Sequence, residues 1–146
     1  MISVRPLIAS DFDDLATLLE GFNSPQAVLS GDEGCRRFNE ILTHPGTTVF
    51  GADDAGRVVS TATLYLMPSL TEGGRSFGLI ENVITLPSRR GQGLGRHVMT
   101  VAHQTAWDAG ASEVMLLTGV ALKARGFYES LGYDGTARHG MLLRCP

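Results

Sequence analysis

The chain has 146 residues, 43% apolar and 18% charged, which is the size and composition of one globular domain and excludes a disordered chain. A net charge of −3 with no basic block argues against nucleic acid as a partner. No apolar run approaches a membrane span, and the opening MISVRPLIASDFDD lacks a charged segment followed by a long apolar stretch, so neither a membrane partner nor a signal peptide is expected.

The first strand is predicted over 2–8 and the first helix over 10–22, where Ser10 or Asp11 can cap and Phe12, Leu15, Leu18 and Leu19 share a face. A loop at 23–26 leads to a second helix over 31–46, with Asp32 and Glu33 in its first turn and Pro45-Gly46 as its stop. Two β-rich runs, 47–52 and 57–67, are joined by the hairpin signal DDAG at 53–56. A polar loop at 68–76 precedes a strand at 77–85, which Pro87 ends. A glycine-rich stretch, SRRGQGLGRHVM at 88–99, then opens a helix running to about Ala109. Leu94, Val98, Val101, Ala102, Thr105 and Ala109 form its stripe, and Gly110 is its C-terminal stop. A strand at 113–118, a helix at 121–132 ended by Gly132, and a last strand at 138–144 complete the order β-α-α-β-β-β-α-β-α-β. That order predicts a single α/β (α+β) domain over 1–146. Its sheet is mixed and mostly antiparallel, flanked by helices, with a βαβ crossover late in the chain.

A strand, a glycine loop and a helix N-terminus in series can bind an anion. The first helical turn has unpaired N–H groups at the positive end of the dipole, and glycines let the backbone approach a phosphate without a Cβ in the way. Arg89, Arg90 and Arg96 add charge suited to phosphate. The nucleotide-binding GxxxxGK pattern is absent, and the dinucleotide pattern GxGxxG would need a third glycine where Arg96 stands. On these residues alone, a glycine-rich turn without a ligand remains open.

The spacing Arg90-x-x-Gly93-x-Gly95 resembles the pyrophosphate loop of the GCN5-related N-acetyltransferases. IENVITLPSRRGQGLGRHVM (80–99) resembles that family's central strand, loop and helix, and FYESLGY (127–133) resembles its second signature, commonly Phe-Tyr-x-x-x-Gly-Phe. The likeness covers 57–133 in order and type. One departure is TGVALKA after the 113–118 strand, where many members carry an asparagine that contacts the pantetheine arm.

The resemblance implies a central strand splayed from its neighbour, with acetyl-CoA as co-substrate. The backbone of Val83, Ile84 and Thr85 would pair with the pantetheine arm. Arg90, Gly91, Gln92, Gly93, Leu94, Gly95 and Arg96 would hold the pyrophosphate. Tyr128 would protonate the departing thiolate, and Glu81 would be the base or the anchor for the acceptor amine. By strand alternation, Asn82 is expected on the face opposite Glu81. Cys35 and Cys145 form neither a CxxC pair nor a disulfide framework, so a cytoplasmic setting is expected. Eleven arginines against the single Lys123 accord with a GC-rich bacterial genome. His44, His97, His103 and His139 lack metal-ligand spacing, so no metal is expected, and surface or packing roles are assigned to all four. Trp107 and the methionines are read as core or interface residues.

Within the family, the strand and loop and the MLLR ending are similar to the glucosamine-6-phosphate N-acetyltransferase branch. A phosphosugar acceptor would call on Arg36, Arg37, Arg75, Lys123 or Arg125. The expectation is a small-molecule amine acceptor, an amino sugar or amino acid, and by family analogy a possible homodimer. An acyl-CoA sensor, a nucleotide-binding regulatory domain and a protein N-terminal acetyltransferase are the competing readings.

Overall fold

The computed structural model describes residues 1–22 and 27–146, so the predicted loop at 23–26 lies outside the described residues. The elements are β1 (Ile2–Pro6), α1 (Phe12–Leu19), α2 (Gly31–Thr43), β2 (Thr47–Asp54), β3 (Arg57–Met67), β4 (Phe77–Thr85), α3 (Leu94–Asp108), β5 (Val114–Met115) and α4 (Arg125–Glu129). One sheet runs in the order β1-β2-β3-β4-β5, antiparallel throughout except for the parallel β4–β5 pair.

Local chemistry sets the main joints. Ala55 and Gly56 both take positive φ between β2 and β3, the two-residue turn whose twist matches a hairpin, and Asp53 accepts the Gly56 N–H at 2.7 Å. The side of α3 facing the sheet is Leu94, Val98, Met99, Ala102 and Ala106, where the small residues let the helix lie close over Phe50, Ala62, Leu64 and Ile80. The predicted stripe is corrected at its C-terminal end, because Ala109 is exposed and Ala106 buried. On the opposite face α1 and α2 bury Leu15, Leu18 and Phe38 against Val49, Val58 and Ile84. Burying both faces of β3 encloses Ser60 and Thr61. Their hydroxyls are satisfied, Ser60 donating to the Ile84 carbonyl at 3.2 Å and Thr61 to the Phe50 carbonyl at 2.8 Å.

β4 carries an irregularity that determines the site. Thr61 pairs with Ile84 but Thr63 with Glu81, so Asn82 and Val83 together face Ala62, and Asn82 sits at φ +54. The extra residue makes a bulge and reverses the side-chain alternation. Ile80 therefore joins the α3 core, while Ile84, four residues on, joins the α1/α2 core.

Several predicted boundaries are corrected. Strand 113–118 shrinks to two residues, and helix 121–132 to the short α4, preceded by a 3-10 turn at Val120–Leu122. Residues 138–144 form no strand. Arg138 pairs with Glu113 at 2.7 Å and Gly140 packs directly on Leu117, but no ladder follows, so Met141, Leu142 and Leu143 stand 89%, 71% and 97% exposed. A β-prone sequence becomes a strand only by pairing with an edge, and among the described residues the tail forms no such ladder, although β5 ends the sheet with an open side. Trp107, read as a core or interface residue, is exposed and so is not part of the core.

The Asp11 side chain makes no cap hydrogen bond to α1. Instead it accepts the Ile8 N–H at 2.8 Å and a two-pronged bond from Arg5 at 2.8 and 2.9 Å, while Arg5 also reaches Asp53 at 2.7 Å. Arg5 holds the Asp11 carboxyl below its ordinary 3.8, so this contact stabilises the fold above that value and fades as pH falls through the folded value. Arg5→Met should cost about 1–3 kcal/mol near neutral pH, reduced from a fully buried pair because Arg5 is 33% exposed. The gap from wild type should narrow below about pH 4. Urea unfolding near pH 7 and near pH 3 measures both.

Candidate active site

A cavity of about 540 Å³ opens where β4 bulges. Leu19 and Phe22 wall it from the end of α1, Ile80 to Val83 from β4, Leu116 to Gly119 from the segment after β5, and Tyr128 from α4. The β4–β5 ladder consists of Gly78–Val114 and Leu79–Met115, so from Ile80 onward the two strands part and the cavity occupies the gap. Among the described residues its lining carries one charged side chain, Glu81.

Glu81 and Tyr128 share this cavity. Burial raises the Tyr128 phenol pKa, and the charge of Glu81 raises it further, so the hydroxyl stays protonated and able to donate at neutral pH. Burial and then Glu81 also raise Tyr65. Sequence reasoning missed Tyr65. The signal is the register, since Thr63 faces Glu81 and Tyr65 lies one pleat further on the same side of β3, diagonal to it. Asn82, expected on the face away from Glu81, lines the same cavity, because the bulge cancels the alternation rule at that residue.

α4 is tied to the start of α3. The Phe127 and Tyr128 rings meet edge to face at 5.1 Å, and a Cβ added at Gly95 would lie 3.5 Å from the Phe127 ring. Arg96 donates to the Ser130 hydroxyl at 2.7 Å. The end of β4 joins the same corner, where the Thr85 and Ser60 hydroxyl oxygens are 2.7 Å apart and Thr85 Oγ1 would lie 3.6 Å from a Cβ at Gly95.

The glycine loop lies outside the cavity lining. Gly91 and Gly93 take φ +75 and +78, Gly93 immediately before α3, and nothing lies within 4 Å of where their Cβ atoms would stand. Gly91, Gln92 and Gly93 are exposed, and the first-turn N–H groups of Leu94, Gly95 and Arg96 have no intrahelical acceptors. Arg89 is committed to Asp54 at 2.6 Å and to Gln92 Oε1 at 3.1 Å, whereas the exposed Arg90 makes a 3.4 Å contact to the Thr85 carbonyl. Val83 borders the cavity. Ile84 offers backbone alone, since its side chain is in the core.

The five cations considered for a phosphosugar stand elsewhere. Arg75 caps the C-terminal end of α3 through the Gly110 and Ala111 carbonyls, Arg37 pairs with Glu40, Arg125 pairs with Glu129, and neither Arg36 nor Lys123 lines the cavity. His44, His97 and His139 are exposed, and His103 is half-buried. Among the described residues no group of three or more His, Cys, Asp or Glu could hold a metal ion.

The sheet is thus mostly antiparallel and opens between β4 and β5, with a glycine loop leading from β4 into α3. The acetyltransferase (GNAT) family profile matches residues 13–133, and the chain belongs to that family. It is 38% identical over 92 residues to the glucosamine 6-phosphate N-acetyltransferase of Trypanosoma brucei brucei, a match spanning 63% of this chain and 61% of that protein. A protein of Agrobacterium tumefaciens str. C58, assigned as an acetyltransferase, is 38% identical with TM-score 0.92, over 98% of this chain and 99% of that one. A predicted acetyltransferase of Clostridium acetobutylicum, solved with acetyl-CoA, has 20% identity and TM-score 0.76 over 98% and 96%.

Asn82 tests the bulge itself. Asn82→Gly should leave stability within about 0.5 kcal/mol of wild type, whereas Asn82→Val should cost roughly 1–2 kcal/mol, because a β-branched residue resists positive φ. Urea unfolding of the two variants measures the difference.

Proposed function

We propose that this protein is an N-acetyltransferase that moves the acetyl group of acetyl-CoA directly to the primary amine of a small molecule, an amino sugar or an amino acid. The observation that carries the reading is the meeting of Glu81 and Tyr128 in one cavity, at the point where β4 bulges and leaves β5. Family membership and the acetyl-CoA of the Clostridium acetobutylicum structure support the choice of donor.

The residues fit that donor. The N–H groups from Gly91 to Arg96 form an open cradle for a pyrophosphate, with Arg90 beside it, and the unpaired edge at Val83, Ile84 and Thr85 can accept an extended arm as an added strand. Acetyl-CoA supplies an activated acyl carbonyl and a thiolate leaving group. A free alkylamine has a pKa of roughly 10, so about one in 10³ is neutral at pH 7, a handicap of ~4 kcal/mol. Glu81 is placed to accept the amine's proton or to anchor the ammonium before it is lost. A backbone N–H at the bulge can donate to the carbonyl oxygen as negative charge develops on it. Tyr128, kept protonated by its surroundings, gives its proton to the departing sulfur.

The lining favours an amine, since Glu81 is its one charge among the described residues. A phosphate on the acceptor would be met by groups outside this wall. The protein works as a homodimer in the cytoplasm. The exposed Met141, Leu142 and Leu143, beside the exposed Leu117 and the open outer side of β5, give a second copy an apolar surface to cover, and two exposed free thiols accord with a reducing compartment. Light scattering should give a dimer, and a monomer at micromolar concentration contradicts that assignment.

Tyr128→Phe should lower kcat by roughly 10²–10⁴ with little change in acetyl-CoA affinity, measured by free-thiol release and calorimetry. A panel of glucosamine, glucosamine 6-phosphate, free amino acids, polyamines and N-terminal peptides identifies the acceptor. Turnover confined to the peptides contradicts the small-molecule reading.

A further inference from the structure

Tyr133 lies four residues beyond the end of α4, at a position where the family signature commonly carries phenylalanine. Its hydroxyl is used here, since Tyr133 Oη and His103 Nε2 are 2.8 Å apart. His103 belongs to the middle of α3, and one turn further on Trp107 stacks over its imidazole, ring centres 6.5 Å apart and planes 29° apart. Tyr133 in turn touches Tyr128 twice. Its N–H donates to the Tyr128 carbonyl at 3.2 Å, and the two rings meet nearly at right angles, 78°, with centres 6.0 Å apart. Phe127 packs the Tyr128 ring at 5.1 Å from another direction.

We propose that His103 is a positioning residue for the acetyl transfer: by fixing the Tyr133 hydroxyl it locks the Tyr133 ring, which holds the Tyr128 phenol at the angle from which it serves the departing sulfur. The inference rests on Tyr128 acting as the proton donor. α4 is one short turn, and a single turn has little stiffness of its own. The Tyr128 ring therefore takes its orientation from its neighbours, and a proton donor displaced by about 1 Å loses rate steeply. Phenylalanine at 133 would supply the ring contact without the tether. His103 joins the orientation of Tyr128 to α3, the helix whose first turn borders the glycine loop. Burial favours the neutral imidazole and keeps Tyr133 protonated, so the pair persists as a neutral hydrogen bond at physiological pH.

The test uses the full-length protein and four variants, Tyr133→Phe, His103→Leu, His103→Gln and Tyr128→Phe, with the acceptor that wild type turns over fastest in the panel. Tyr133→Phe and His103→Leu should each lower kcat about tenfold while KM for acetyl-CoA stays within about twofold. His103→Gln, whose amide can reach the same hydroxyl, should recover most of the loss. In the Tyr128→Phe background, His103→Leu should add no further loss. Spectra of the protein carrying ¹³C-labelled tyrosine, recorded without substrate, should show the Tyr128 ring signals shifted or broadened by the first two variants and restored by His103→Gln. Unchanged Tyr128 signals overturn the inference, as does an unchanged kcat in Tyr133→Phe and His103→Leu when Tyr128→Phe is slow. If Tyr128→Phe itself runs at the wild-type rate, the donor role fails, and the inference with it.

Discussion

Asn82 takes a left-handed backbone angle in the middle of a strand, and the site depends on that one distortion. A regular β4 would send Ile80 and Ile84 to the same face and leave one side of the sheet short of apolar cover. With the bulge, Ile80 serves the α3 core and Ile84 the α1/α2 core, so both layers close. The same extra residue places Glu81, Asn82 and Val83 together on a cavity wall. Both cores need the reversal, so they also hold the strained residue in place.

α3 carries the second constraint. Its buried side chains fix it to the sheet, its N-terminus presents free N–H groups above the glycine loop, Arg96 ties α4 down, and Arg75 closes its far end. The first-turn groups that would hold a pyrophosphate belong to α3, and Tyr128 is held near them through the contacts of α4 with the start of that helix.

The glycine turn and the helix after it were legible in the sequence because each rests on local chemistry, positive-φ glycines and an apolar stripe. Tyr128 was instead picked out by the resemblance of FYESLGY to a family signature, and its place on the cavity wall comes from the fold. The reversal at Asn82 was not legible, because alternation assumes an unbroken ladder; the one clue was an asparagine, tolerant of left-handed angles, within a run of β-branched residues. Tyr65 depends on the β3–β4 register, which no single segment encodes. Arg75 reads as a free cation because only tertiary contacts reveal its partners. The Arg37–Glu40 and Arg125–Glu129 pairs, by contrast, are three and four residues apart on one helix and could have been read from spacing. The tail at 138–144 shows the converse, a strand-like sequence that forms no ladder although β5 ends the sheet with an open side.

The central claim is that the opened edge of β4 and the glycine loop bind one extended, pyrophosphate-bearing molecule together. Amide hydrogen exchange with and without coenzyme A tests it most directly. The account predicts slower exchange at Val83 to Thr85 and at Gly91 to Arg96 together, with β1 and β2 unaffected. Exchange unchanged at both segments under saturating coenzyme A, or protection at the glycine loop alone, would contradict it.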